Sequence, residues 1–179
     1  MEYIGNRISF LRKPDELSIV ISAYSDKRKN LLLLAWILAW TLGGIVMTVY
    51  LFRVHDSQLK TMILVWMGFW LYFEYKAWKA YTWRKYGKEI VKIGKGYLFY
   101  KRDNRGAGKL RNFETASVES AGRYTAGEND LVRNFISSYW VIGGETISFR
   151  YFGKEVAFGM QLEEKDANAL LQLIRTELN

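Results

Sequence analysis

The chain has 179 residues, a formal net charge of +8, a single histidine and no cysteine. These counts exclude disulfides, thiolate metal centres and cysteine nucleophiles. Half of the residues are apolar and a quarter are charged, a mixture that does not fit a polytopic transporter packed with spans.

The basic excess is local. Residues 84–111 carry ten basic and two acidic side chains, whereas residues 112–179 carry six basic and ten acidic ones. A cationic stretch beside an apolar segment, with an acidic remainder, suits anionic lipid headgroups better than a nucleic-acid track.

In chain order, residues 1–29 read as a cytoplasmic β-hairpin. Arg7–Leu11 and Leu17–Ile21 flank Lys13-Pro14-Asp15-Glu16, where Pro and Asp supply the turn chemistry. An isolated hairpin is marginal in water, so these strands are expected to join the sheet of the C-terminal part. Lys27, Arg28 and Lys29 then stand directly before an apolar run, Leu31–Phe52.

That run contains no charged side chain, and as a helix it extends roughly 33 Å against a hydrocarbon thickness of about 30 Å. Twelve of its residues are Leu, Ile, Val or Phe, which sum to about −5 kcal/mol on the insertion scale. It begins too late and runs too long for a cleaved signal peptide, so the expectation is that it is retained. Ala35, Ala39 and Gly43 recur at a four-residue spacing, a stripe that lets a second helix approach closely.

After a short link holding His55, residues 60–83 form a weaker apolar segment, interrupted by Glu74, Lys76 and Lys79 and followed by Trp78, Tyr81, Trp83 and Tyr86. Two crossings place Lys27–Lys29 and the cations of residues 84–111 on the same side, as the positive-inside rule favours. The sequence therefore predicts a two-helix transmembrane hairpin over residues 30–83 (about 31–52 and 60–83), with both termini cytoplasmic. Glu74 is expected near the inner hydrocarbon boundary, where it snorkels to a lysine or meets a partner subunit.

Residues 84–179 change to strand patterning. Glu89–Ile93 and Tyr97–Arg102 flank Gly94-Lys95-Gly96 as a hairpin, a basic loop over 103–109 leads to a strand near Leu110–Val118, and residues 119–136 read as an irregular, exposed loop with one poorly defined strand. Ser137–Ile142, Thr146–Tyr151 and Glu155–Phe158 read as a meander. Glu163–Leu178 is an amphipathic helix with Ala167, Leu170, Leu171, Ile174 and Leu178 on one face and acids at its N-terminal end. The predicted fold class is thus a membrane helical hairpin plus an α+β part, a PH-like barrel or sandwich of six to seven strands capped by the C-terminal helix.

This layout resembles small bacterial membrane proteins with two transmembrane helices followed by a PH-like domain. The residues that carry the resemblance are Trp36-Ile37-Leu38-Ala39-Trp40-Thr41-Leu42-Gly43-Gly44, Gly87-Lys88-Glu89-Ile90, Gly144-Glu145-Thr146-Ile147-Ser148-Phe149, and the stretch from Glu155 to Ala167. The resemblance implies binding and scaffolding rather than chemistry.

The residues agree with that emphasis. His55 is the only imidazole and lies in the outer link, away from any nucleophile. No ligand set for a metal or other cofactor gathers, and Gly106-Ala107-Gly108-Lys109 lacks the full phosphate-loop spacing. What remains is cationic. Lys76, Lys79, Arg84 and Lys85 interleave with aromatics as an ordinary positive anchor or a headgroup contact. Lys101, Arg102, Arg105, Lys109 and Arg111 surround the glycine loop as a solvated patch or an anion cradle. The expected function is a non-enzymatic inner-membrane scaffold or accessory subunit. Its expected partners are anionic lipids, other membrane subunits and a second copy of itself, with no nucleic acid among them. The alternative is a lipid-sensing module working through residues 101–111.

Overall fold

A computed structural model describes residues 1–124 and 142–178. The chain opens with three strands, β1 (Glu2–Ile4), β2 (Ile8–Lys13) and β3 (Glu16–Ser22), and then leaves the sheet for two long helices, α1 (Lys27–Arg53) and α2 (Ser57–Tyr86). It returns as β4 (Gly87–Gly94), β5 (Tyr97–Asn104) and β6 (Leu110–Glu114). A short 3-10 turn at Thr115–Ser117 leads to β7 (Val118–Arg123), and β8 (Glu145–Tyr151), β9 (Lys154–Met160) and α3 (Glu164–Leu178) close the chain.

The strands form two antiparallel sheets, one of six strands in the order β1-β2-β3-β4-β5-β6 and one of three in the order β7-β8-β9. β3 and β4 are neighbours, with Ile19 opposite Val91 and Ser22 opposite Lys88. The helical pair is therefore an insertion between two adjacent strands, and both ends of the chain lie in one folded β unit. Arg12 on β2 and Glu177 on α3 form an ion pair at 2.5 Å.

Strand alternation explains the core. Leu17, Ile19 and Ile21 on β3, Val91 and Ile93 on β4, and Leu98 and Tyr100 on β5 point to the same buried face. They meet Phe149 and Phe158 of the second sheet and Leu170 and Ile174 of α3. Each such side chain contributes about 1.5–3 kcal/mol on burial. The β4–β5 loop, Lys95-Gly96, has positive φ at both residues (52° and 80°), the conformation that a tight right-twisted hairpin needs.

The fold departs from the sequence expectation in two ways. The first concerns the expected PH-like barrel over residues 84–179. Instead there is a mixed α+β unit of two antiparallel sheets. As expected, the first strands join the sheet that follows the helices, where β1–β3 make up half of the larger sheet, and a strand, β7, stands at the start of the stretch after residue 118. The expected strand at Ser137–Ile142 lies, but for Ile142, outside the described residues.

The second concerns the two-span hairpin. Among the described residues one helix, α1, is long and apolar enough to cross a membrane, with a mean hydropathy of 2.1 and 17% of its apolar stretch buried within the structure. α2 does not meet the same measure, because Glu74, Lys76 and Lys79 interrupt its apolar stretch. The charge argument weighed the cations beside the helices, whereas the structure's measure counts what lies inside them. The multi-pass topology is not supported.

Asp26 caps α1, its carboxylate accepting from the Arg28 and Lys29 amides at 2.8 and 3.1 Å, and Asp56 caps α2 through the Leu59 amide at 2.8 Å. The two helices pack through Leu33, Ile37, Thr41 and Gly44 on α1 and Trp70, Glu74 and Ala77 on α2. The Trp70 ring lies against Gly44, and its indole N–H donates to the Trp40 carbonyl at 3.0 Å. The packed face of α1 is rotated away from Ala35, Ala39 and Gly43, all of which are exposed.

A side chain at position 44 would run into Trp70, whereas one at position 43 meets nothing within 4 Å. Gly44→Leu should therefore destabilise the helical pair by about 1–3 kcal/mol, while Gly43→Leu leaves it unchanged or slightly stabilised. Thermal melts of the two detergent-solubilised variants beside the wild type check this.

Candidate binding site

α2 runs into β4 without an intervening linker, and the β unit is fastened to this joint by polar groups. Arg84, buried on the last turn of α2, donates to Gln161 Oε1 at 2.5 Å and to the Tyr24 carbonyl at 3.4 Å. Arg7, in the β1–β2 turn, donates to the carbonyls of Ser22, Gln161 and Met160 at 2.9, 2.5 and 2.8 Å. Two guanidiniums thus tie the helix base, the first strands and the end of β9 together.

Deeper in the β unit lies a second polar group. Glu89 is 1% exposed. One of its oxygens accepts from the Tyr100 hydroxyl at 2.6 Å and the other from the Met160 amide at 2.8 Å. Arg102 sits opposite Glu89 in the ladder, donates to the Tyr100 oxygen at 2.7 Å and reaches Glu145 on β8 at 2.6 Å. This chain of contacts crosses from the larger sheet to the smaller one.

Burial pushes the Glu89 carboxyl above its ordinary range, although Tyr100, the Met160 amide and the Arg102 charge all pull it down. Burial and the adjacent carboxylate also push the Tyr100 phenol up, so it stays an O–H donor. Burial opposes the charge on Arg102, but Tyr100, Glu89 and Glu145 together hold its pKa above the ordinary value.

Above this network, where α1 and α2 meet the end of β5, a cleft of about 940 Å³ opens. Its walls are Trp36 of α1; Tyr72, Phe73, Tyr75, Lys76, Lys79 and Trp83 of α2; and Asn104, Ala107 and Gly108 of the loop after β5. Aromatic walls with a few polar groups are the usual make-up of small-ligand clefts. The Asn104 amide nitrogen donates to the Thr82 hydroxyl at 3.2 Å, while its oxygen is buried with no hydrogen-bond partner.

The sequence-predicted cations have different fates. Lys76 and Lys79 line the cleft. Arg84 is turned inward, and Lys85 lies over the rings of Tyr81 and Tyr86 at 6.0 and 5.3 Å. Lys101 pairs with Asp103 at 2.6 Å, and Arg102 is committed to Tyr100 and Glu145. Arg105 stacks on the Tyr86 ring at 4.0 Å. Lys109 and Arg111 remain exposed on the rim of a smaller recess near Glu155. The five cations of residues 101–111 do not converge on one anion cradle.

Glu74 is buried in the helical pair, its Oε1 accepting from the Thr41 hydroxyl at 2.6 Å and the Trp78 indole at 2.9 Å. It neither snorkels nor pairs with a lysine. Among the described residues, no three or more His, Cys, Asp or Glu gather as a metal site would.

Sequence reasoning missed the Glu89 network, although one signal pointed to it. In β4, Glu89 falls on the same alternation as Val91 and Ile93, which sets an acid on the buried face. No model of a known protein family matches the chain, and no curated protein matches it either. Function must therefore be argued from the geometry.

Because the folded state holds the Glu89 proton more tightly than the unfolded chain does, the folded protein binds more protons above the ordinary value of 4.5. The site's contribution to stability is therefore full below that value and falls as pH rises through the raised one. Glu89→Gln abolishes this titration, so the stability gap between the wild type and E89Q should narrow as pH rises from 4.5 towards neutrality. Glu89→Ala orphans the Tyr100 hydroxyl and the Met160 amide, at about 1–3 kcal/mol each. Thermal melts across the pH series read both effects, and a gap independent of pH would refute the first.

Proposed function

We propose that the protein is a non-enzymatic scaffold or accessory subunit of a larger assembly in the bacterial inner membrane, anchored through α1, with its β unit on the cytoplasmic side. One observation carries this reading: a rigidly mounted β unit bears a helical pair whose outer surface is apolar and uncovered. Leu32, Leu38, Leu42 and Val46 on α1 and Val65, Phe69 and Phe73 on α2 are all exposed. Isolated exposed apolar residues are ordinary, but a contiguous apolar face of this extent marks contact with lipid or with another protein.

The cytoplasmic placement rests on Lys27, Arg28 and Lys29 at the entry to α1. The stripe Ala35, Ala39 and Gly43 faces outward, so a helix of another subunit or of a second copy can approach α1 closely along it. Headgroup sensing through residues 101–111 is disfavoured, since Lys101, Arg102 and Arg105 are engaged within the chain.

The chain holds no cysteine, so a single Ala39→Cys provides a clean crosslinking probe. Under oxidation in native membranes, A39C should yield a disulfide dimer or, with a cysteine-reactive bifunctional reagent, a heterogeneous adduct, while Leu11→Cys in the β unit should not. In mild detergent the wild type should run larger than a monomer. Monomers alone, with no co-purifying protein and no A39C adduct, would sink the proposal.

A further inference from the structure

We infer that the cleft between α2 and the end of β5 holds one anionic phospholipid. This deepens the membrane reading above and rests on it, but it concerns a stoichiometric ligand rather than a protein partner.

Two observations converge on this ligand. The first is shape and polarity. The cleft, about 940 Å³, lies at the base of the helical pair, and its helical side is aromatic: Trp36, Tyr72, Phe73 and Trp83. Such a wall takes glycerol and the upper acyl chains, and aromatic rings favour this depth at a membrane interface.

The second is charge. Lys76 and Lys79 lie one turn apart on α2 at the cleft, and neither forms an ion pair among the described residues. Lys76 lies over the Tyr72 ring at 5.4 Å, which leaves its ammonium hydrogens available to an anion. Two ammonium groups over an aromatic floor match a phosphodiester attached to acyl chains. They match a zwitterionic lipid poorly, because its choline would bring a cation to the same place.

Asn104, at the end of β5, borders the cleft as well, but its amide nitrogen is held by the Thr82 hydroxyl at 3.2 Å and its side-chain oxygen is buried, so it forms wall rather than a ligand contact. Arg102 also borders the cleft, but its hydrogen bonds to Tyr100 and Glu145 leave it as part of the wall.

Native mass spectrometry of the full chain tests this, after delipidation and transfer to nanodiscs of phosphatidylcholine alone or doped with phosphatidylglycerol. The expected result is one phosphatidylglycerol adduct per chain that phosphatidylcholine does not replace. Lys76→Gln combined with Lys79→Gln should weaken it about tenfold. Ala107→Trp, which fills the cleft without touching either lysine, should abolish it. Arg105→Gln with Lys109→Gln, which removes cations outside the cleft, should leave it intact.

Retention of the adduct in both cleft variants would overturn the proposal. So would equal loss in the R105Q/K109Q control, or equal occupancy by a free fatty acid. The adduct is counted per chain in a defined bilayer, so a missing protein partner leaves this result unaffected.

Discussion

The pairing of β3 with β4 is the constraint on which the rest of the molecule depends. These strands are adjacent in the sheet, yet the whole helical pair lies between them in sequence. Closing a long connection carries an entropic penalty, but one that grows slowly, by about 0.6 kcal/mol per doubling of length. The seven-residue register from Glu16–Gly94 to Ser22–Lys88, with Leu17, Ile19 and Ile21 buried, outweighs it. The helices pack on each other, and their paired ends hold Ser22 and Gly87 near one another where the ladder begins. Without that ladder, β1–β3 would be an isolated meander and β4–β6 would lose its inner edge.

The two sheets meet over a greasy core, but polar contacts set their alignment. Apolar packing tolerates sliding, whereas Glu89, Tyr100, Arg102 and Glu145 have directional requirements that one alignment satisfies. Removing any one of them leaves a buried partner without its complement, and it is the burial of Glu89 that makes the site sensitive to pH. Arg7 and Arg84 play the same part at the helix base: Arg7 satisfies the Met160 and Gln161 carbonyls at the end of β9, and Arg84 holds the Gln161 side chain and the Tyr24 carbonyl.

Much of the local structure was legible in the chain. Alternation located β2–β5, β8 and β9 to within a few residues, the Lys95-Gly96 turn announced its hairpin, and the stripe Ala167, Leu170, Leu171, Ile174 placed α3. That the first strands join the C-terminal sheet was legible too, because an isolated hairpin is marginal in water. What could not be read was the β3–β4 pairing itself and the division into two sheets, since both depend on contacts between distant segments. The basic loop misled for a related reason: composition counts charges, but only the fold decides that Arg102 turns inward and Arg105 lies on Tyr86. The small-residue stripe Ala35–Ala39–Gly43 was real as a pattern, yet the bulk of Trp70 and the notch at Gly44 decided which face α2 takes.

The absence of a linker between α2 and β4 has a mechanical consequence. Gly87 sits so close to the Trp83 ring and carbonyl that a side chain there would collide, and Arg84 clamps the turn just before it. A helix fused in this way to a strand has no hinge, so the orientation of the helical pair and that of the six-stranded sheet are one variable. A change of a few degrees in the helix axis would sweep the far edge of the sheet, β6 and the loop before it, through an arc several times larger than the motion at the joint. The molecule is built as a lever with its fulcrum at Gly87.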